Sequence, residues 1–144
     1  MAVLREPALP AQVSVRGEPP PGFPTEPNTA ADVGGRLAMW LGPDEWLVVG
    51  ATEDDYPVAV DVSANRVAFE LSGDDAIDVL AQGCALDLER IGPGACAQTL
   101  LARAPMLLLH VEAGTWAIFV RPSYANYVRD WLNDALSGVA VRLR

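Results

Sequence analysis

The stretch AMWLGPDEWLVVG, residues 38–50, carries the strongest fold signal in the chain. Apolar residues at 37, 39 and 41 alternate with Ala38 and Trp40, which is the two-residue period of a β-strand. The turn sequence GPDE follows, and a second apolar run begins at Trp46. This pattern predicts a β-hairpin over residues 36–50 with a four-residue connection, and it places Trp40 on the face opposite residues 39 and 41.

The two tryptophans of this hairpin raise a functional question. Trp40 and Trp46 bracket the turn. Tryptophan is typical of places where one edge is apolar and the other is wet, so the hairpin suits a ligand pocket or a protein interface equally well. Composition alone does not choose between them.

The bulk composition limits the possible functions. The chain has 144 residues, which suits one domain, and its net charge is −9. All ten basic residues are arginine, which excludes a phosphate-loop lysine, a Schiff-base lysine and a lysine general base. Between residues 36 and 87, eleven acids face two arginines. Such a surface repels phosphate backbones, so nucleic acid is a poor partner.

The sequence also disfavours a membrane span, a secretory signal and a structural zinc site. No apolar run is long enough for a membrane span and no secretory signal is visible, so we expect a soluble cytoplasmic protein. Cys84, Cys96 and His110 are too few and too far apart for a structural zinc site, and we expect two reduced thiols.

The first 35 residues differ in composition from the rest. Seven of the twelve prolines fall between Pro7 and Pro27. Proline removes hydrogen-bond donors, so residues 1–35 are predicted to form a mobile, extended, Pro-rich arm with at most a short edge strand at residues 12–15. Six apolar side chains along this arm, Phe23 among them, suit contact with a partner.

Residues 36–144 are predicted to form a single α+β domain. Strand patterns occur at residues 46–49, 58–62, 66–71, 95–102, 106–112, 116–120 and 139–143. One helix is expected from Ser72 to Gly83, beginning with a capping box, and another from Ser123 to about Leu136, ended by Gly138. The prediction is a mixed, mostly antiparallel sheet with two helices on one face, preceded by the arm.

Few residue groups suggest catalysis. His110 shares a strand face with Glu112, but no serine or cysteine completes a nucleophile set, and a structural role is favoured. The pairs Asp54-Asp55 and Asp74-Asp75 offer too few oxygen ligands for a calcium loop. No Gly-rich dinucleotide motif occurs. We therefore predict no catalytic, cofactor-binding or metal residue from these patterns.

Four segments resemble a known family. WLGPDEW (residues 40–46), VDVSANRVAFELSGDDAIDVLAQGCALDL (residues 60–88), CAQTLLARAPMLL (residues 96–108) and RPSYANYVRDWL (residues 121–132) are similar, in order and spacing, to the gamma subunit of heterotetrameric sarcosine oxidase. The resemblance covers the chain from about residue 40 to 136 and does not include the arm.

This resemblance implies a complex that oxidatively demethylates sarcosine to glycine, with oxygen as acceptor, and passes the one-carbon unit to tetrahydrofolate. It implies that FAD, FMN, NAD, tetrahydrofolate and zinc belong to other subunits, and that this chain is a small non-catalytic subunit docking against the alpha subunit, with beta and delta subunits in the complex. The hairpin is then core and subunit contact, with Trp40, Trp46 and Phe23 as the expected partner contacts.

A second resemblance, more distant, leaves an alternative open. Residues 60–88 are similar to part of the folate-binding domain of the glycine-cleavage aminomethyltransferase, whose catalytic aspartate falls on Asp87 by motif. Leu86 stands where that family has asparagine, so Asp87 is a weak catalytic candidate and a structural turn carboxylate is favoured. The alternatives are therefore a stand-alone folate-binding or aminomethyltransferase-like protein, and an unrelated interaction module.

Overall fold

The computed structural model describes residues 1–142, without the side chains of residues 140–142. Its strands and helices, in chain order, are β1 (Val3–Arg5), β2 (Gln12–Arg16), β3 (Ala30–Val33), β4 (Arg36–Gly42), β5 (Glu45–Val49), β6 (Ala59–Asp61), β7 (Val67–Ser72), α1 (Ala76–Ala81), β8 (Cys96–Leu101), β9 (Ala104–Glu112), β10 (Thr115–Val120) and α2 (Ala125–Arg142). Within these residues, no helix has the length and apolar character needed to cross a bilayer.

The strands form two five-stranded sheets instead of the single sheet predicted. Sheet 1 has the order β1-β7-β10-β9-β8, and sheet 2 has the order β3-β4-β5-β2-β6. Every neighbouring pair of strands is antiparallel in the described chain. The predicted α+β class is confirmed, with both helices on one side of sheet 1.

Sheet 1 is buried on both of its faces. Met106 and Leu108 of β9 pack with α1 and α2, whereas the alternating residues Leu107 and Leu109 pack against sheet 2. The molecule is therefore three layers deep: helices, sheet 1 and sheet 2. Burial on both faces explains why β9 reads as an almost continuous apolar run instead of an alternating one.

The hairpin predicted from the opening stretch is confirmed. Strands β4 and β5 pair from Leu37↔Val49 to Gly42↔Glu45, with an irregularity in register between Trp40 and Gly42. The connection is therefore two residues, tighter than the four predicted. Met39 faces sheet 1 and Trp40 faces the outside of sheet 2, as the alternation predicted.

The segment predicted to be a mobile arm contributes strands to both sheets, so the predicted arm is not confirmed. Strand β1 pairs with β7, and β2 lies between β5 and β6 as an interior strand. The prolines fall in the connections between these strands, because the strands occupy the proline-free stretches. Proline cannot donate a hydrogen bond to a β-ladder, and this property suggested the arm. The structure is compatible with it because the prolines of this segment lie outside the ladders.

Ion pairing also fixes the first residues to α2. Glu6 accepts two hydrogen bonds from Arg129, at 2.8 Å from Nε and 2.7 Å from Nη2. The hydrogen bonds and the charge of Arg129 lower the pKa of the Glu6 carboxyl. The Arg129 guanidinium in turn lies 5.8 Å from the centre of the Phe69 ring in β7. The segment after β1 is thus held by a two-point contact.

Both helices differ from prediction at their ends. Helix α1 begins at Ala76 with Asp75 as its N-cap, so the expected capping box at Ser72 is wrong. Helix α2 runs through Gly138 to Arg142, where a terminal strand was predicted. Its apolar face continues with Val139, which is 3% exposed against α1 and sheet 1, and this packing outweighs the low helix propensity of one glycine. The end of the predicted strand, Leu143, lies outside the described residues.

The glycine after α1 is needed for space. A Cβ on Gly83 would lie 2.5 Å from Cζ2 of Trp131 in α2 and 3.1 Å from the backbone nitrogen of Ala102. The Gly83 carbonyl accepts a hydrogen bond from that nitrogen at 2.8 Å. Gly83 was predicted to end the helix, and the structure shows that it also lets α2 approach.

We predict that Phe23→Ala lowers the free energy of unfolding by about 3 kcal/mol, because the Phe23 ring is 6% exposed and packs in the outer core of sheet 2. Val58→Ala is the control, since Val58 is 55% exposed, and it should cost less than about 0.5 kcal/mol. Urea unfolding followed by tryptophan fluorescence measures both. Equal, small losses would show that residues 17–29 do not pack as described.

Candidate functional site

Trp46 lies in the interior and not at a surface. Its side chain is 1% exposed, and its indole N–H donates to the Pro24 carbonyl at 2.7 Å. The Phe23 ring packs edge-on against it with centroids 5.7 Å apart, and Tyr56 meets Phe23 edge-on at 5.1 Å. Phe23 and Trp46 thus seal the outer face of sheet 2, and both rings are buried within this chain, so their expected role as partner contacts stays a prediction that this burial does not favour.

Trp40 keeps part of its surface accessible. It lies opposite Trp46 in the β4–β5 ladder and packs against the same outer cluster while remaining half-buried. Its backbone N–H donates to the Thr29 carbonyl at 3.0 Å. Of the three aromatic residues expected at a partner interface, Trp40 is the one that the structure leaves available.

Cys96 links the two sheets next to Trp40. The Cys96 Sγ lies 3.5 Å from the Thr29 carbonyl oxygen and 3.9 Å from that of Trp40. Burial raises the pKa of the Cys96 thiol to about 11, so it is protonated at neutral pH and inert as a nucleophile. Cys84 is also buried, and both cysteines are free.

Asp87 lies on the surface, ahead of a short 3₁₀ turn at Leu88–Arg90. Its carboxylate is 62% exposed and pairs with Arg90 Nε at 3.3 Å. Leu86, beside it, is 40% exposed. A catalytic carboxylate is usually held in a cleft by several partners, and this arrangement matches the turn role favoured by the sequence.

His110 is held by packing and by one backbone contact. Its ring stacks on Trp116, with centroids 4.0 Å apart and planes 5° from parallel. Its Nδ1 lies within hydrogen-bond distance of the Ile91 carbonyl. Since a carbonyl can only accept, Nδ1 carries the proton. The histidine thereby ties β9 to the turn before β8, which is the structural role that the sequence favoured.

The paired acids bind neighbouring groups of the chain. Asp55 accepts from the Thr52 backbone N–H at 2.7 Å and from Arg36 at 3.0 Å, and these contacts lower the pKa of its carboxyl. Asp75 occupies the N-cap position of α1 without a side-chain cap hydrogen bond, is 8% exposed, and has its Oδ1 4.0 Å from the N-terminal nitrogen of Met1. Across the part of the chain that the structure describes, no three His, Cys, Asp or Glu side chains come together as metal ligands.

The structure also contains an apolar cleft of about 360 Å³ between the two sheets. Leu37, Ala68, Leu109 and Phe119 form its walls, and the Pro7–Leu9 region closes one side. Such a lining suits an apolar group, and its residues belong to the same interior that joins the sheets.

Comparison with known proteins decides the family. The model of the "Sarcosine oxidase, gamma subunit family" matches residues 51–138. The sarcosine oxidase subunit gamma of Corynebacterium sp. (strain P-1) is 34% identical, over 95% of this chain and 81% of that protein. The chain belongs to the sarcosine oxidase gamma subunit family. The subunit gamma of an Arthrobacter species is 32% identical, over 96% of this chain and 81% of its own length.

A solved structure supports the family assignment at the level of the fold. A chain of the heterotetrameric sarcosine oxidase from Corynebacterium sp. U-96, solved in complex with pyrrole 2-carboxylate, superposes with a TM-score of 0.83. It is 30% identical, and the match covers 95% of this chain and 84% of that one. The shared fold therefore includes the proline-rich segment, which the sequence resemblance had left out.

We predict that Asp87→Ala changes neither the stability of the chain nor its response to tetrahydrofolate. The Asp87–Arg90 pair is exposed, so its removal should alter the free energy of unfolding by less than about 0.5 kcal/mol. Calorimetry with tetrahydrofolate and thermal melts of both proteins measure this. Micromolar folate binding that disappears in Asp87→Ala would make the folate-site alternative correct.

Proposed function

We propose that this chain is a non-catalytic subunit of a heterotetrameric sarcosine oxidase and that it supports assembly by docking against the alpha subunit. The observation that carries the proposal is the 0.83 TM-score match, over 95% of this chain, to a chain of such a heterotetramer. The membership of the gamma subunit family points the same way.

The reaction of the proposed complex is the oxidative demethylation of sarcosine to glycine, with oxygen reduced to hydrogen peroxide and the one-carbon unit taken up by tetrahydrofolate. In this proposal FAD, FMN, NAD and the folate are held by the alpha, beta and delta subunits, in the cytoplasm. This chain contributes a layered body of two helices and two sheets. Two of its residues were considered for catalysis from the sequence. Asp87 forms a surface ion pair with Arg90, and His110 forms a hydrogen bond with the Ile91 carbonyl.

The assembly experiment tests this role directly. The chain is co-expressed with the other three subunits from the same genome, with an affinity tag on the alpha subunit. We expect all four chains to co-purify with sarcosine-dependent peroxide production, and the chain expressed alone to show neither flavin absorbance nor peroxide production. Stoichiometric flavin in the isolated chain, or a fully active complex that never retains this chain, would contradict the proposal.

We also predict that Trp40 contributes to the docking surface. Trp40→Ala should weaken association with the complex by about 30-fold, which corresponds to roughly 2 kcal/mol for an interfacial tryptophan. Trp40→Phe is the matched control, because it keeps an aromatic ring on the outer cluster of sheet 2. Association is measured by titration of tagged alpha subunit and stability by thermal melts. Unchanged association of Trp40→Ala, in a chain that stays folded, would place the docking surface elsewhere.

A further inference from the structure

Two arginines that are far apart in sequence meet at one end of sheet 1. Strands β7 and β10 pair in register as far as Val67↔Val120. Arg66 directly precedes β7 and Arg121 directly follows β10, so the same register places the two arginines opposite each other. Both line the same two clefts. Like charges opposite each other at the end of a ladder are destabilising.

In the described part of the chain, no carboxylate pairs directly with either of these arginines. Among residues 1–139, whose side chains the structure describes, five arginines have a carboxylate within 4.0 Å, and neither Arg66 nor Arg121 is among them. Glu45 lines one of the clefts, but it is bound by Arg16 at 3.1 Å and lies 3.4 Å from the Ser14 hydroxyl. That cleft therefore contains three guanidinium groups and one carboxylate, on a chain whose net charge is −9.

The pKa of Arg66 reflects both its burial and the same excess of positive charge. Burial lowers the pKa of the Arg66 guanidinium, the charge of Arg121 lowers it further, and Glu45 acts in the opposite direction. Arginine nevertheless stays protonated in proteins. Arg66 and Arg121 therefore both stay charged in the free chain, and an anion bound between the two guanidinium groups would offset the repulsion between them.

The surroundings of the pair are those of a protein interface. The larger cleft has a volume of about 400 Å³, with Leu100, Pro105 and Phe119 in its walls. Leu100, on the edge strand β8, is 51% exposed, and Val60, on the edge strand β6, lines the second cleft and is 59% exposed. Arginine is enriched among the residues that contribute most of the binding energy of interfaces, and exposed apolar side chains beside it add surface that a partner can cover.

We propose that the Arg66–Arg121 cleft is a docking site for an acidic side chain, aspartate or glutamate, on an apolar segment of a partner subunit. This proposal rests on the proposed function, because it assigns the partner to the same complex. An acidic peptide segment fits better than a small free anion, because the apolar residues beside its acidic side chain can pack on the exposed Leu100 and Val60. The planar guanidinium groups can bind a carboxylate in a two-point geometry.

The test uses Arg121→Gln, since Arg121 is exposed and its neutralisation removes the charge with little packing. Arg103→Gln is the matched control, an exposed arginine on the β8–β9 turn without a carboxylate within 4.0 Å in the described chain. Association of each full chain with the complex of the other three subunits is titrated at 50 mM and 300 mM NaCl, and each free chain is melted.

We expect Arg121→Gln to weaken association by about 10-fold or more and to reduce its dependence on salt. The melting temperature of the free Arg121→Gln chain should stay the same or rise, because a repulsion has been removed. Arg103→Gln should change neither quantity. A substitution that merely damaged the fold would instead lower the melting temperature together with the association.

Three results would overturn the proposal, and they can be told apart. Wild-type chain that does not associate at all would contradict the proposed function itself. Normal association of Arg121→Gln and Arg66→Gln, beside a wild type that does associate, would contradict the docking site alone. Normal association of these variants together with citrate stabilisation of the free wild type that Arg121→Gln abolishes would assign the cleft to a small free anion.

Discussion

The burial of sheet 1 on both faces is the constraint on which the rest of this structure depends. Strands β7, β9 and β10 each send alternate side chains to the helices and to sheet 2, as Leu108 and Leu107 do. A strand of this kind loses apolar contacts whichever covering layer is removed. The helices and sheet 2 are therefore not additions to a stable sheet, since each layer completes a core that the others cannot close alone.

The proline-rich segment has the corresponding role at the outer face of sheet 2. Phe23, from the segment 17–29, packs edge-on against Trp46 there, and Val48 and Val15 belong to the same buried cluster. Without this segment the Trp46 indole would lack its partner, the Pro24 carbonyl. A segment with little regular secondary structure is held because one large side chain and one hydrogen bond anchor it, and because its prolines reduce the conformational entropy lost on ordering.

The same architecture bears on function. The interior of this chain of the sarcosine oxidase gamma subunit family consists of packed apolar side chains. Polar side chains such as Asp55 and Glu6 form ion pairs with Arg36 and Arg129. Arg66 and Arg121 are different, because register forces them together at the open end of a ladder. Two like charges next to exposed apolar residues make that end of the sheet a surface that a partner carrying the opposite charge would stabilise.

The sequence by itself determined the hairpin of residues 36–50, the α+β class, the three strands between residues 95 and 120, and the family, because alternation, helical periodicity and ordered motifs are local signals. It also predicted that Trp40 and Met39 face opposite ways. Only the tertiary structure decided that the sheet is two sheets, that β2 is an interior strand and that Trp46 and Phe23 pack against each other. The local hydrophobic pattern of a sequence indicates which residues are buried, but not which layer of the fold covers them. The meeting of Arg66 and Arg121 depends likewise on a strand register that couples residues 55 positions apart.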